Sequence, residues 1–179
     1  MTKRLTLIRH AKSRWDDLEL PDFDRSLSPR GIKAAPKIAK YLSDEGLSPD
    51  LIYCSPARRT KETLSRMKTV MPLSSEVVFD RSIYSAGMGE GIMNLLMTQN
   101  PEEEHVWVIG HNPAMQELSL VLPNWDAAQQ ETRNRILRKF STAAVCSMEF
   151  DTQNWQEIGF SKARLSHFMT PKMLEKTAA

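Results

Sequence analysis

A chain of 179 residues, 41% hydrophobic and 26% charged with 7 Gly and 10 Pro, is long enough for a real core, and its composition excludes a disordered or fibrous class. The formal charge is only +2, which argues against nucleic acid as a partner and means that any anion binding must be local. No apolar run approaches a membrane span, and "MTKRLTLIRH" is too polar for a secretory signal, so the expectation is a cytoplasmic protein with no membrane partner and one domain over residues 1–179.

Taken in chain order, residues 4–9 read as a strand. "SPRGIKAAPKIAKYLSDEG" reads as a helix with Ser28 as N-cap, Pro29 at the first helical position and Gly46 as its stop; Pro36 inside it suggests a kink. "LIYC" at 51–54 is a second strand, followed at once by a helix over about 56–71. "EVVF" at 76–79 is a third strand and residues 90–99 a third helix. "HVWVIG" at 105–110 is a strong strand, and a helix opens directly after it at "NPAMQELSLVL". Residues 126–140 are charged and helical in tone. "AAVCSMEF" and "WQEIGFSKARLSHFM" alternate with period two and read as β, as a hairpin that adds an antiparallel element. The end, "KMLEKTAA", reads as a polar, frayed tail. Strands alternating with helices imply parallel βαβ units and a three-layer α/β/α sandwich around a mostly parallel sheet.

In open sheets of this kind the ligand crevice lies beyond the carboxyl ends of the strands. Three strand ends carry polar groups suited to it: Arg9-His10, then "SPARRT" with Arg58 and Arg59, then "GHNP" with His111. Arginines and histidines without a carboxylate in the same turns describe an anion pocket, because the guanidinium fork matches phosphate oxygens and keeps its charge. The helix after "GHNP" adds unpaired N–H groups, with Asn112 as its expected cap and an anion ligand in its own right. A neutral imidazole can attack phosphorus while arginines offset charge on the phosphoryl oxygens. One histidine must be neutral to attack; a second can be protonated to stabilise charge. Neither this chemistry nor the residues call for a metal or another cofactor. Cys54 and Cys146, without CxxC spacing, read as reduced core residues.

"LIRHAKS" at 7–13, "DFDRSLSPRG" at 22–31, "CSPARRTKET" at 54–63 and "VIGHNP" at 108–113 together resemble the histidine phosphatase superfamily (phosphoglycerate mutase-like), and within it the short bacterial phosphohistidine phosphatase (SixA) type. The resemblance runs from residue 4 to about 113, with a looser echo in "KARLSHFMTP". It implies His10 as the nucleophile that is transiently phosphorylated, Arg9 as a phosphoryl-binding residue, Arg59 rather than Arg58 as the arginine four positions after the serine, and His111 as the second histidine. The superfamily's signature commonly has Gly after the Arg-His pair; Ala11 stands there, as it does in the short bacterial type.

The proton donor is the open position. Larger members take it from a long insertion, but residues 64–110 are compact and offer Glu90; Asp16, Asp17, Asp22 and Asp24 lie in the first long loop. Weak acid provision suits a P–N bond, whose imidazole leaves more readily than an alkoxide. The expected activity is a metal-independent phosphatase acting on protein phosphohistidine, over a shallow cleft open to a macromolecule. The alternatives are a phosphatase for a small phosphorylated metabolite and a phosphate-binding regulatory module with little turnover. Arg25 is weighed as part of the anion field against an ordinary salt bridge. Arg58 is read as a solvated helix charge, His105 as a surface residue and His167 as structural; Trp15 and Trp125 are weighed as pocket rim against ordinary packing. Nothing in the sequence sets an oligomeric state.

Overall fold

In the computed structural model, which describes residues 2–16 and 19–177, the strands join into one six-stranded sheet in the order β3-β2-β4-β1-β5-β6. These are β1 (Lys3–Arg9), β2 (Leu51–Cys54), β3 (Glu76–Phe79), β4 (His105–Gly110), β5 (Val145–Phe150) and β6 (Ala163–Met169). The first four are mutually parallel; β5 runs antiparallel to β1, and β6 antiparallel to β5. The helices are α1 (Pro29–Asp44), α2 (Arg58–Met67), α3 (Glu90–Gln99), α4 (Ala114–Val121), α5 (Gln130–Arg138) and α6 (Pro171–Thr177).

The central strands are buried on both faces, so their residues divide by parity between two cores. Leu5, Leu7, Val106 and Val108 face one core, with Ile92 and Leu96 of α3, Leu118 of α4 and Ile136 of α5. Ile8, Ile52, Trp107 and Ile109 face the other, with Ile38 and Leu42 of α1 and Leu64 and Met67 of α2. This is the three-layer sandwich expected from the alternation. Removing one such side chain, as in Ile8→Ala, is expected to cost about 2–5 kcal/mol.

Two local devices fix the first helix against the end of β1. The Ser28 hydroxyl accepts from the Gly31 N–H at 3.2 Å, an N-cap typically worth about 1 kcal/mol. The same residue's N–H donates to the Lys12 carbonyl at 2.8 Å. Gly31 has to be glycine, because a Cβ there would lie 2.2 Å from the Lys12 carbonyl oxygen. α1 runs through Pro36 as one element, and Gly46 takes φ +66° beyond it.

Four expectations need correction. α2 is shorter than its pattern, because residues 68–71 close a turn before Pro72. The first half of the last alternating run is not strand: Trp155–Glu157 is a 3-10 turn that buries Trp155 and sends its indole N–H to the Glu103 carbonyl at 3.0 Å. The tail is helical rather than frayed, with Leu174 packed on the α1–α2 core and Lys37 of α1 paired to Glu175 at 3.1 Å. His105 is buried, not on the surface: its Nε2 meets the Thr6 hydroxyl at 2.8 Å, and that hydroxyl meets Ser147 at 2.9 Å. His167 is half-buried, 3.5 Å from Glu45.

Candidate active site

Because β2, β4 and β1 are neighbours, the three polar segments beyond their carboxyl ends are neighbours too. The ladder continues past the strands to align them: the His10 N–H donates to Gly110 O at 3.0 Å and the Ser55 N–H to Ile109 O at 2.9 Å. The next turn is tied to α2, where Ala11 N–H donates to Thr63 Oγ1 at 2.9 Å. His10 and His111 are thereby brought face to tilted face, ring centroids 5.2 Å apart, both buried.

His10 Nδ1 lies 2.7 Å from its neighbour's carbonyl, Ala11 O. A carbonyl only accepts, so Nδ1 carries the proton and Nε2 is the nitrogen with a free lone pair. Burial first, and then the charges of Arg59 and Arg9, push the His10 pKa down from 6.5 to about 3, against the opposing Ala11 bond and Asp22 charge. The ring is neutral across the physiological range.

His111 is fixed by a second chain of bonds. Arg59 Nη2 donates to His111 Nδ1 at 3.1 Å, so Nδ1 accepts and the Nε2–H points to Ser55 Oγ at 2.8 Å. Its pKa is also pushed to about 3, by burial and then by Arg59 and His10. An imidazolium in the second position, as weighed from the sequence, is therefore disfavoured by the protein's own groups.

Arg59 stands in the first turn of α2, buried, and is held by Asp22 through both the backbone carbonyl and, at 2.9 Å, the carboxylate. Tyr84 OH donates to the same carboxylate at 3.0 Å, and the Tyr84 ring meets His111 edge-on at 5.3 Å. Burial raises the Asp22 pKa, but the Arg59 bond and charge, the Tyr84 bond and the Arg25 charge outweigh it and hold it below the usual carboxylate range. Asp22 is an orienting anion, not a stored proton.

Arg9 turns outward. Its Nη1 donates to Phe140 O at 2.7 Å, beside the Asn112 amide, which reaches the same carbonyl at 3.3 Å and Gln116 Oε1 at 3.2 Å. Asn112 is not the cap of α4: Pro113 occupies that position and no side chain caps it.

The expected acids do not reach the histidines. Glu90, in the first turn of α3, accepts from the Met88 N–H at 2.8 Å and is exposed. Asp16 pairs with Arg14 on the surface. Asp24 is exposed and, among the described residues, makes no side-chain bond to the cluster. Asp17 lies outside the described residues. Arg25 stacks 3.8 Å over Trp15, and its charge helps to hold the Asp22 pKa down. Arg58 pairs with Glu62 at 2.8 Å, and Trp125 packs against the core, donating to Leu120 O at 2.7 Å. In the sequence Ser55 is only a spacing marker for Arg59, Asp22 is one of four similar loop aspartates, and Tyr84 carries no signal.

A cavity of about 680 Å3 opens beside Arg9, walled in part by Arg138 and Lys139 of the 126–140 segment. A second, of about 360 Å3, lies on the His111 side. Among the described residues no helix is long and apolar enough to cross a membrane, and no group of three or more His, Cys, Asp or Glu is placed to hold a metal ion.

The family model "Histidine phosphatase superfamily (branch 1)" matches residues 5–83. An uncharacterized chloroplastic protein of Arabidopsis thaliana is 33% identical over 151 residues, covering 80% of this chain and 69% of its own length. Among solved structures, a protein described as the phosphohistidine phosphatase SixA of Nakamurella multipartitia superposes with TM-score 0.80 at 22% identity, covering 96% of this chain and 97% of that one. One described in the same terms from Agrobacterium tumefaciens gives TM-score 0.75 at 27% identity, covering 94% and 99%.

Proposed function

Because the chain belongs to the histidine phosphatase superfamily, we propose that it is a phosphatase that works through a phosphohistidine on His10. The observation that carries the reading is the tautomer of His10: Nδ1 is committed to Ala11 O, which leaves Nε2 neutral, buried and unprotonated. Nε2 attacks phosphorus, a P–N bond to His10 forms and the bond to the leaving group breaks. Water then attacks phospho-His10, releasing inorganic phosphate and returning the ring. Arg59 and Arg9 offset charge on the transferred oxygens, and His111, oriented by Arg59 and Ser55, lines the site as a neutral ring. Asn112 sits at the edge of this group. With arginines in that role, the chemistry asks for no metal.

The substrate follows from the leaving group. Asp22 is ionised and bonded to Arg59, Glu90 bonds the Met88 N–H, and Asp16 pairs with Arg14. An alkoxide would depart poorly without a donor; the ring of a phosphohistidine can take a proton from solvent on its other nitrogen, departs as neutral imidazole and so asks less of the protein. Protein phosphohistidine is the substrate class this favours, in keeping with the description of the SixA structures. The cavity of about 360 Å3 that His111 itself lines favours a small phosphorylated compound as the second reading.

The test incubates the protein with a phosphohistidine-bearing protein and a panel of phosphate esters, with chelator present, beside His10→Ala. Acid-labile phosphate trapped on the native chain, with turnover lost in the variant and P–N substrates preferred, is the expected result. Turnover that survives His10→Ala, or that chelator abolishes, overturns the mechanism; preference for esters overturns the substrate class.

A further inference from the structure

Two cavities, one lined by His111 and the other by Arg9, differ in character. The one on the His111 side, bordered by Tyr84, Met88 and Asn112, has no lysine, arginine or carboxylate in its wall. In the one on the Arg9 side, eight of fifteen lining residues are lysine or arginine and none is acidic. That places a third of the chain's 24 basic residues around one cavity, in a protein of formal charge +2.

The clustering is made by the fold. Arg9 and Lys12 come from the end of β1, Arg30 from the first turn of α1, Arg138 and Lys139 from the end of α5, and Lys172 from α6. One amphipathic helix could carry such a stripe as an ordinary solvated face; four segments far apart in the chain meet here only in the tertiary structure. Arg135 pairs with Glu131, but among the described residues no carboxylate pairs with Lys12, Arg30, Arg138, Lys139 or Lys172. Thr142 and Thr170 add neutral hydroxyls to the wall.

Like charges gathered without counter-charges repel one another, so a multivalent anion gains from every cation it bridges while losing its freedom once. A single phosphate spans two or three of them. A cavity of about 680 Å3 lies within the usual range of about 300–1,000 Å3 for small-molecule sites, and its concavity suits such a ligand better than the flat face of an acidic protein.

We propose that this cleft is a binding site for a small molecule carrying several phosphate groups in a row or cluster, and that it shares Arg9 with the phosphoryl site. Occupation of the cleft draws Arg9 to the ligand and competes with the substrate of His10. The competition, though not the binding, rests on the reading of Arg9 as a phosphoryl-binding residue.

Calorimetric titration of the His10→Ala protein, which prevents turnover, compares inorganic tripolyphosphate, orthophosphate and hexaglutamate. The expected result is tripolyphosphate binding at least about tenfold tighter than orthophosphate, weakened by salt, and reduced about tenfold by Arg138→Gln with Lys172→Gln. With His10 intact, tripolyphosphate should inhibit turnover of N-phosphoimidazole competitively. The double variant should turn over N-phosphoimidazole as before and escape that inhibition. Tripolyphosphate no tighter than orthophosphate, or indifferent to the double variant, overturns the site. Hexaglutamate binding as tightly and lost in the same variant overturns the ligand class, making the cleft an acidic-polypeptide surface. Tight tripolyphosphate binding that the double variant loses, in a protein without turnover, supports the cleft while the phosphatase reading fails.

Discussion

Strand β4 begins at His105 and ends just before His111, so one strand presents a histidine at each end of the sheet. Both rings are buried and both are held neutral, His105 with its pKa lowered from 6.5 to about 4 and His111 to about 3, burial being the leading cause in each. Their partners separate them. At the amino end His105 is met by the Thr6 hydroxyl, through it by Ser147, and by the Ser48 backbone, while the charge of Arg4 is opposed by those of Asp50 and Glu149. At the carboxyl end His111 is met by Arg59, itself fixed by Asp22, with a second neutral histidine 5.2 Å away and a cavity alongside. Burial with hydroxyl and backbone partners leaves a histidine satisfied, whereas burial beside an arginine bonded directly to the ring and a second neutral imidazole leaves net positive charge facing a cavity.

That contrast breaks most easily at His10. His10→Ala should lower turnover at least about a thousandfold with the fold intact by circular dichroism; an active variant removes the nucleophile from the argument. Arg59→Ala should lower kcat/KM about 10²–10³-fold, and Arg59→Lys should recover little, because an ammonium cannot hold Asp22 and His111 in the same fork. If lysine restores activity, the geometry at the carboxyl end matters less than its charge. Asp22→Asn should be milder, about tenfold, and should fall on KM more than kcat, since it loosens Arg59 without touching phosphorus.

At the other end of β4 the effect should be on stability alone. His105→Ala is expected to cost about 1–3 kcal/mol in urea unfolding, with steady-state turnover unchanged. The pH dependence sharpens this. Between pH 6.5 and about 4 the unfolded chain binds a proton at His105 that the folded chain refuses. The stability it contributes is therefore full above 6.5 and declines as the pH falls toward 4. His10 and His111 extend the decline toward pH 3. A urea midpoint that falls on acidification in the native protein, and less steeply in His105→Gln, is the expected pattern. In kcat/KM the acid limb should lie well below 6.5, because the free enzyme keeps His10 neutral there.

Much of this was legible in one dimension. The apolar alternation, the Ser28–Pro29 start, and the Arg-His, "SPARRT" and "GHNP" segments at strand ends set the fold class and make His10, Arg9, Arg59 and His111 neighbours at one edge of the sheet, because residues just past adjacent parallel strands share an edge. Those signals are local and periodic, and they survive without knowing what packs where. Three things did not survive that limit. Four loop aspartates look alike in sequence, and only the path of residues 22–24 across α2 singles out Asp22. His105 follows an acidic run that suggests solvent, yet the parallel pairing of β4 with β1 seats it against Thr6. The basic cleft is assembled from β1, α1, α5 and α6, and in a chain of net charge +2 no window of sequence announces it. Charge and apolarity repeat along a chain at fixed periods, whereas which charges face each other depends on contacts between segments more than a hundred residues apart, and those only the tertiary structure decides.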